Sequence, residues 1–282
     1  CHYARGCEHY TTACRHCPLL PGGGSDNDLA AKTWRRKQQM LNGRSITFVT
    51  CSQWLKGEAE KSALLKGLQI VSIPNAIDSR LFRPIDRHEA RRRAGLPDEG
   101  RIILFVSQRV TDERKGVRFL IDAVQQLVSA HPEYKETAHV AILGGHAEEV
   151  QQQLALPSYA LGYVNDAQRI VSVYASADVF VLPSLEDNLP NTLMESMACG
   201  VPCVGFNVGG IPEMITHRET GYVARFRDAA DLAEGLHWTL SEADSEALHK
   251  ACLRKVAECY SQQSVALQYL KVYENKYRNH HV

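Results

Sequence analysis

Two carboxylates, Asp187 and Glu195, stand eight positions apart, the first in a polar loop (Glu186-Asp187-Asn188) and the second in a helical pattern. Two cations stand earlier, Arg109 and, six positions on, Lys115, followed by Gly116. Carboxylates accept hydrogen bonds from sugar and ribose hydroxyls. An arginine fork and a lysine point charge suit a diphosphate. Backbone N–H groups at a helix start, here near Asn191, Thr192 and Leu193, favour anions. Gly209 and Gly210 let backbone come close to a ligand. Together with Asn188, these residues make a candidate crevice for a nucleotide-sugar. The competing reading is a surface loop ahead of an ordinary core helix, with a solvated basic loop elsewhere.

Positioning these groups requires strands that end where the loops begin. Val179–Leu182 reads as a buried strand stopped by Pro183 and Ser184. Pro190 suits the first turn of a helix. Leu193, Met194, Met197 and Ala198 recur at helical spacing, Gly200 is placed as a stop, and Pro202 lies just beyond it. Arg101–Ser107 is a run suited to burial on both faces, and the loop after such a strand is where ligands bind in open α/β sheets. Strands starting near 102, 139, 179 and 202 alternate with helices over 117–130 and 166–176, the pattern of a parallel sheet. Glycines at 144–145 follow the second of these strands, and His146 reads as a loop histidine. Further helices are expected at about 228–240, 243–259 and 262–279, the last with Leu267, Leu270 and Tyr273 at helical spacing.

These pieces, in this order, resemble the family 4 retaining glycosyltransferases of the GT-B fold. Asp187 and Glu195 match that family's Glu-x7-Glu pair, and Ser196-Met197-Ala198-Cys199-Gly200-Val201-Pro202 matches its Ala-Met-Ala-x-Gly-x-Pro run. Asp187 stands for the usual glutamate and Ser196 for the usual alanine. Pro74-Asn75-Ala76-Ile77-Asp78, with Phe82 and Pro84 behind it, is similar to the family's inter-domain connection. The resemblance implies two Rossmann-like α/β domains: residues 1–84 as a remnant of an acceptor-side domain, 85–262 as the donor-binding domain, and 263–282 as a helix crossing back. It implies that Arg109 and Lys115 contact the donor diphosphate, Glu195 the ribose and Asp187 the donor sugar. The reaction would be retaining transfer to a glycan or lipid-linked acceptor, as in cell-surface polysaccharide biosynthesis, with no cofactor required for catalysis. Two other readings use the same residues: a nucleotide-sugar epimerase on the same fold, and a non-catalytic nucleotide-binding scaffold.

Residues 1–24 are of another kind. Cys1, Cys7, Cys14 and Cys17 lie among His2, His9 and His16, and Cys14-x-x-Cys17 has metal-ligand spacing. A four-thiolate structural zinc site, disulfides and plain reduced thiols all fit. Cys51, Cys199, Cys203, Cys252 and Cys259 sit in apolar runs and read as inert core residues. Asp26 and Asp28 read as a helix start, ahead of a helix over 28–42 carrying Lys32, Arg35, Arg36 and Lys37. That helix suits an acceptor or a peripheral membrane surface, or is simply a solvated face.

Over 282 residues Lys plus Arg equals Asp plus Glu, at 32 each, so no global field draws in nucleic acid. No run of about 18 apolar residues exists to span a bilayer. A cytoplasmic protein, peripheral at the inner membrane face, is the expectation. The chain opens on Cys1 and reads as a fragment, inactive by itself, with most of its acceptor-side domain absent.

Overall fold

The computed structural model describes residues 6–279, with side chains to residue 275. Cys1 of the proposed zinc set lies outside the described residues. The chain divides into two compact units, 1–73 and 74–282.

The first unit holds a two-stranded parallel sheet, β1 (Thr47–Thr50) and β2 (Gln69–Ser72), and helices Leu29–Leu41 and Gln53–Glu60. Asp28 caps the first helix, its Oδ1 accepting from Ala31 N at 2.8 Å, as the sequence suggests. Tyr10, Cys14 and Ala30 form a small buried cluster, with Cys17, Leu20 and Trp34 packed against it. All described cysteines are free thiols, and burial pushes the Cys14 thiol up. Among the described residues no three of His, Cys, Asp and Glu are grouped to hold a metal ion. An apolar cavity of about 340 Å³ opens between Tyr10, Leu41, Phe48, Leu55 and Leu65, with Lys37 also on its lining.

The second unit is a six-stranded, all-parallel sheet. Its strands are β3 (Arg101–Arg109), β4 (Ala138–Gly145), β5 (Ser158–Gly162), β6 (Val179–Leu182), β7 (Cys203–Phe206) and β8 (Gly221–Ala224). They lie in the order β5-β4-β3-β6-β7-β8. Ile102–Phe105 and Val179–Val181 expose no surface, as strands covered by helices on both faces must. The four anticipated strands fall within a residue or so of their expected starts. Segment 74–84 belongs to this unit: Ile77 is buried, its N–H donates to Tyr260 O at 2.9 Å, and Phe82 stands edge-on to Tyr174. The final helix, Gln262–Asn279, leaves Leu267, Leu270 and Tyr273 more than half exposed. Among the described residues no helix is long and apolar enough to cross a membrane.

A buried ion pair ties the helix Arg87–Ala94 to the start of the sheet. Arg91, 2% exposed, donates to Asp178 Oδ2 at 2.8 Å and to the carbonyls of Ser176, Asp98 and Gly100. Asp178 also accepts from Ile102 N at 2.8 Å, so one carboxylate joins the first turns of β3 and β6 to that helix. Asp178 is also met by Arg87 at 2.8 Å, whereas the buried Arg91 relies on Asp178 for its ion pair. Asp178→Asn strands the Arg91 charge and is expected to lower unfolding free energy by about 3–5 kcal/mol, read from urea denaturation.

Candidate active site

The strand order reverses between β3 and β6: the chain runs outward through β4 and β5, then returns to lay β6 on the other side of β3. In a parallel sheet the loops after those two strands diverge and leave a crevice. The first carries Arg109 and Lys115; the second carries Asp187.

Arg109 ends β3 just past a register irregularity between Val106 and Arg109. It is exposed, and its Nε donates to Thr111 Oγ1 at 3.1 Å. Gly144 lies against this turn at φ +145, where a Cβ would fall 1.8 Å from Ser107 O. Lys115 closes a short 3-10 turn, Glu113–Lys115, and Gly116 follows at φ +68. A Cβ on Gly116 would sit 1.8 Å from Pro183 O, so only glycine lets this turn rest on the end of β6. Leu185 N then donates to Arg114 O at 2.8 Å and clamps the two loops together. Arg114 itself folds back on Asp112.

The clamp brings Lys115 Nζ to 2.8 Å from Asp187 Oδ2, across 72 positions of sequence. Asp187 is 16% exposed and Lys115 31%, so solvent still reaches the pair. Ser184 Oγ lies 3.4 Å from the same carboxylate oxygen. Gly209 and Gly210 close the other side. Gly210 N donates to Asp187 O at 3.2 Å, and a Cβ on Gly209, whose φ is +58, would meet that oxygen at 1.8 Å. The sequence places these glycines near a ligand; the structure gives them a contact with the Asp187 loop.

The helix Asn191–Ala198 leaves this loop with Pro190 at its cap. It ends as expected: Gly200, φ +78, donates to Met197 O, and Val201 N donates to Ser196 O, a Schellman closure. Asn191 is exposed, Thr192 and Asn188 are half-buried, and the Leu193 side chain is buried. The Leu193 N–H, one of three expected to meet a ligand, already donates to Pro190 O at 3.1 Å. Asn191 and Thr192, first in the helix, have no carbonyl behind them in it.

Glu195 meets the preceding helix, Ala167–Ala175. There Tyr174, wholly buried, donates its hydroxyl to Glu195 Oε2 at 2.6 Å. Burial pushes the Glu195 carboxyl up, and the tyrosine bond opposes that in part. Tyr174 is a residue that sequence reasoning passes over; it looks like one more core aromatic. Nearby, burial pushes the Cys199 and Cys203 thiols up to about 12, in keeping with the inert role expected of them. His146 pairs with Glu149 at 2.7 Å, a loop contact.

Residues 100–242, about half of the chain and most of the sheet unit, match the family model described as Glycosyl transferases group 1. The chain belongs to that family. It is 32% identical over 174 residues to the D-inositol 3-phosphate glycosyltransferase of Acidothermus cellulolyticus, covering 57% of this chain and 38% of that protein. It is 27% identical over 219 residues to N-acetyl-alpha-D-glucosaminyl L-malate synthase of Bacillus anthracis, covering 74% and 55% respectively. The chain thus spans well under two thirds of the length of these curated relatives. Its fold is of the GT-B type. Sucrose-phosphate synthase from Thermosynechococcus elongatus superposes with a TM-score of 0.71 at 24% identity, over 90% of this chain and 64% of that one. Anabaena HepE, solved in complex with UDP-glucose, superposes with a TM-score of 0.67 at 18% identity, over 86% and 67%.

The raised Glu195 carboxyl has a consequence for stability. The folded chain holds that proton over a pH range where the unfolded chain, with a glutamate near 4.5, has lost it. Stability is therefore lost as pH rises from that value through the folded one. Glu195→Gln keeps an oxygen for Tyr174 and removes the charge. In thermal melts it is expected to exceed the parent at about pH 7, with the gap closing below about pH 4.

Proposed function

We propose that the chain carries the donor-binding half of a retaining glycosyltransferase, one that moves a sugar from a nucleotide-sugar to a glycan or lipid-linked acceptor in cell-surface polysaccharide biosynthesis. The observation that carries this reading is the Lys115–Asp187 contact at the sheet's reversal. In a nucleotide-sugar the diphosphate and the sugar are covalent neighbours. A cation for the first and a carboxylate for the second therefore belong side by side. The HepE complex with UDP-glucose, on a similar fold, supports the same ligand class.

In this reading Lys115 and Arg109 face the diphosphate. As the bond from the anomeric carbon to the phosphate oxygen breaks, its electron pair moves onto the leaving diphosphate, and the two cations offset that charge without reorganising. Asp187 accepts from the sugar hydroxyls, and Glu195 from the ribose. The amides of Asn191 and Thr192 supply positive dipole to sugar or phosphate. The basic side chains do the charge work that a divalent cation does in other transferases. An acceptor with a lipid tail finds apolar room in the first unit's cavity, beside Lys37.

Titration of the folded chain with UDP, GDP and ADP by calorimetry is the test. At least one is expected to bind, and Lys115→Ala to weaken it at least tenfold, about 1.4 kcal/mol. A folded chain that binds none of the three overturns the assignment.

A further inference from the structure

We propose that Tyr174 is the positioning residue that aims the Glu195 carboxylate at the donor's ribose. The inference rests on the reading of Glu195 just given. It adds a residue from a different helix, the one before β6, to the machinery of that site.

Three observations carry it. The first is the bond itself: Tyr174 OH donates to Glu195 Oε2 at 2.6 Å, linking two helices across 21 positions of sequence. The second is how firmly the donor is held. The Tyr174 ring stands edge-on to Phe82 at 6.2 Å and to Phe180 at 5.8 Å, and the residue exposes no surface. Phe180 belongs to β6 and Phe82 to the segment that opens the second unit, so the ring is fixed by parts of the fold other than the helix that carries Glu195. The third is the choice of partner. A glutamate on a helix has three rotatable bonds and, left alone, turns to water. Here it is half-buried, and its buried surroundings disfavour the charge that a ribose-binding carboxylate needs. A hydroxyl donor aimed at one oxygen offsets that penalty and leaves Oε1 for the ligand. If packing were the whole of the role, a phenylalanine beside an apolar neighbour would fill the space without burying a charge.

The test is Tyr174→Phe, which keeps the ring between Phe82 and Phe180 and removes only the hydroxyl. Dissociation constants are measured for UDP, GDP and ADP, each beside its 2′-deoxy and 3′-deoxy forms, with the parent and the variant. The parent is expected to prefer a ribose nucleotide over a deoxy form by about tenfold or more, as a site built to bond a hydroxyl does. In Tyr174→Phe the preference is expected to fall to about twofold, through loss of affinity for the ribose form alone. The pH below which the preference collapses is expected to rise in the variant, because the bond that favoured the charged carboxylate is gone. A variant that weakens ribose and deoxy forms equally shows a structural role and overturns the proposal. So does one that keeps the parent's preference. A parent with no preference overturns the Glu195–ribose reading itself, and this proposal with it. Should Tyr174→Phe fail to fold, 3-fluorotyrosine at position 174 keeps the shape and strengthens the donor. It is expected to lower the pH of collapse, and an unmoved value overturns the proposal.

Discussion

The reversal of strand order between β3 and β6 is the constraint on which the site depends. A parallel sheet that grew in one direction only would carry each strand's following loop over its neighbour and leave no opening. Here the chain lays down β4 and β5, returns, and starts again beside β3. The two loops on either side of that seam are held together by specific contacts. Gly116 lets the Lys115 turn touch Pro183, Leu185 bonds Arg114, and the Gly209-Gly210 turn bonds Asp187. The Lys115–Asp187 ion pair at 2.8 Å is the outcome of that packing.

The two carboxylates have different settings. Asp187 sits beside Lys115, within reach of solvent. Glu195 sits against a tyrosine in a drier place, where its charge is costly. Carboxylates eight positions apart on a loop and a helix reach these settings because the loop turns toward β3 while the helix packs back on its predecessor. The first unit contributes a separate small core in which Cys14 and Cys17 pack with Tyr10 and Trp34, as apolar side chains do.

Much of the second unit was legible in the sequence, because its signals are local. Val179–Leu182 stops at Pro183 and the helix Asn191–Ala198 stops at Gly200; in the first unit Asp28 caps the helix it was read as starting. What was not legible depends on packing between distant segments. Nothing local marks Tyr174 as the partner of Glu195, since a tyrosine in an apolar helix reads as core. Gly116 reads only as the residue after Lys115, while its constraint is the Pro183 carbonyl just past β6. The Leu193 amide, expected to face a ligand, is taken by Pro190 because the first helical turn is tight. Segment 74–84 reads as a connection between domains, yet Ile77 is bonded to Tyr260, which anchors it to the second unit.

The seam also orders events during synthesis. Lys115 and Asp187 are 72 residues apart, with three strands, β4, β5 and β6, and their helices between them. Contacts of that span form late, after loop closure has been achieved locally. As the chain leaves the ribosome, β3 to β5 can pair while Lys115 still has nothing to face. The Lys115–Asp187 contact forms only when β6 docks beside β3, so that single ion pair reports that the middle of the sheet has assembled.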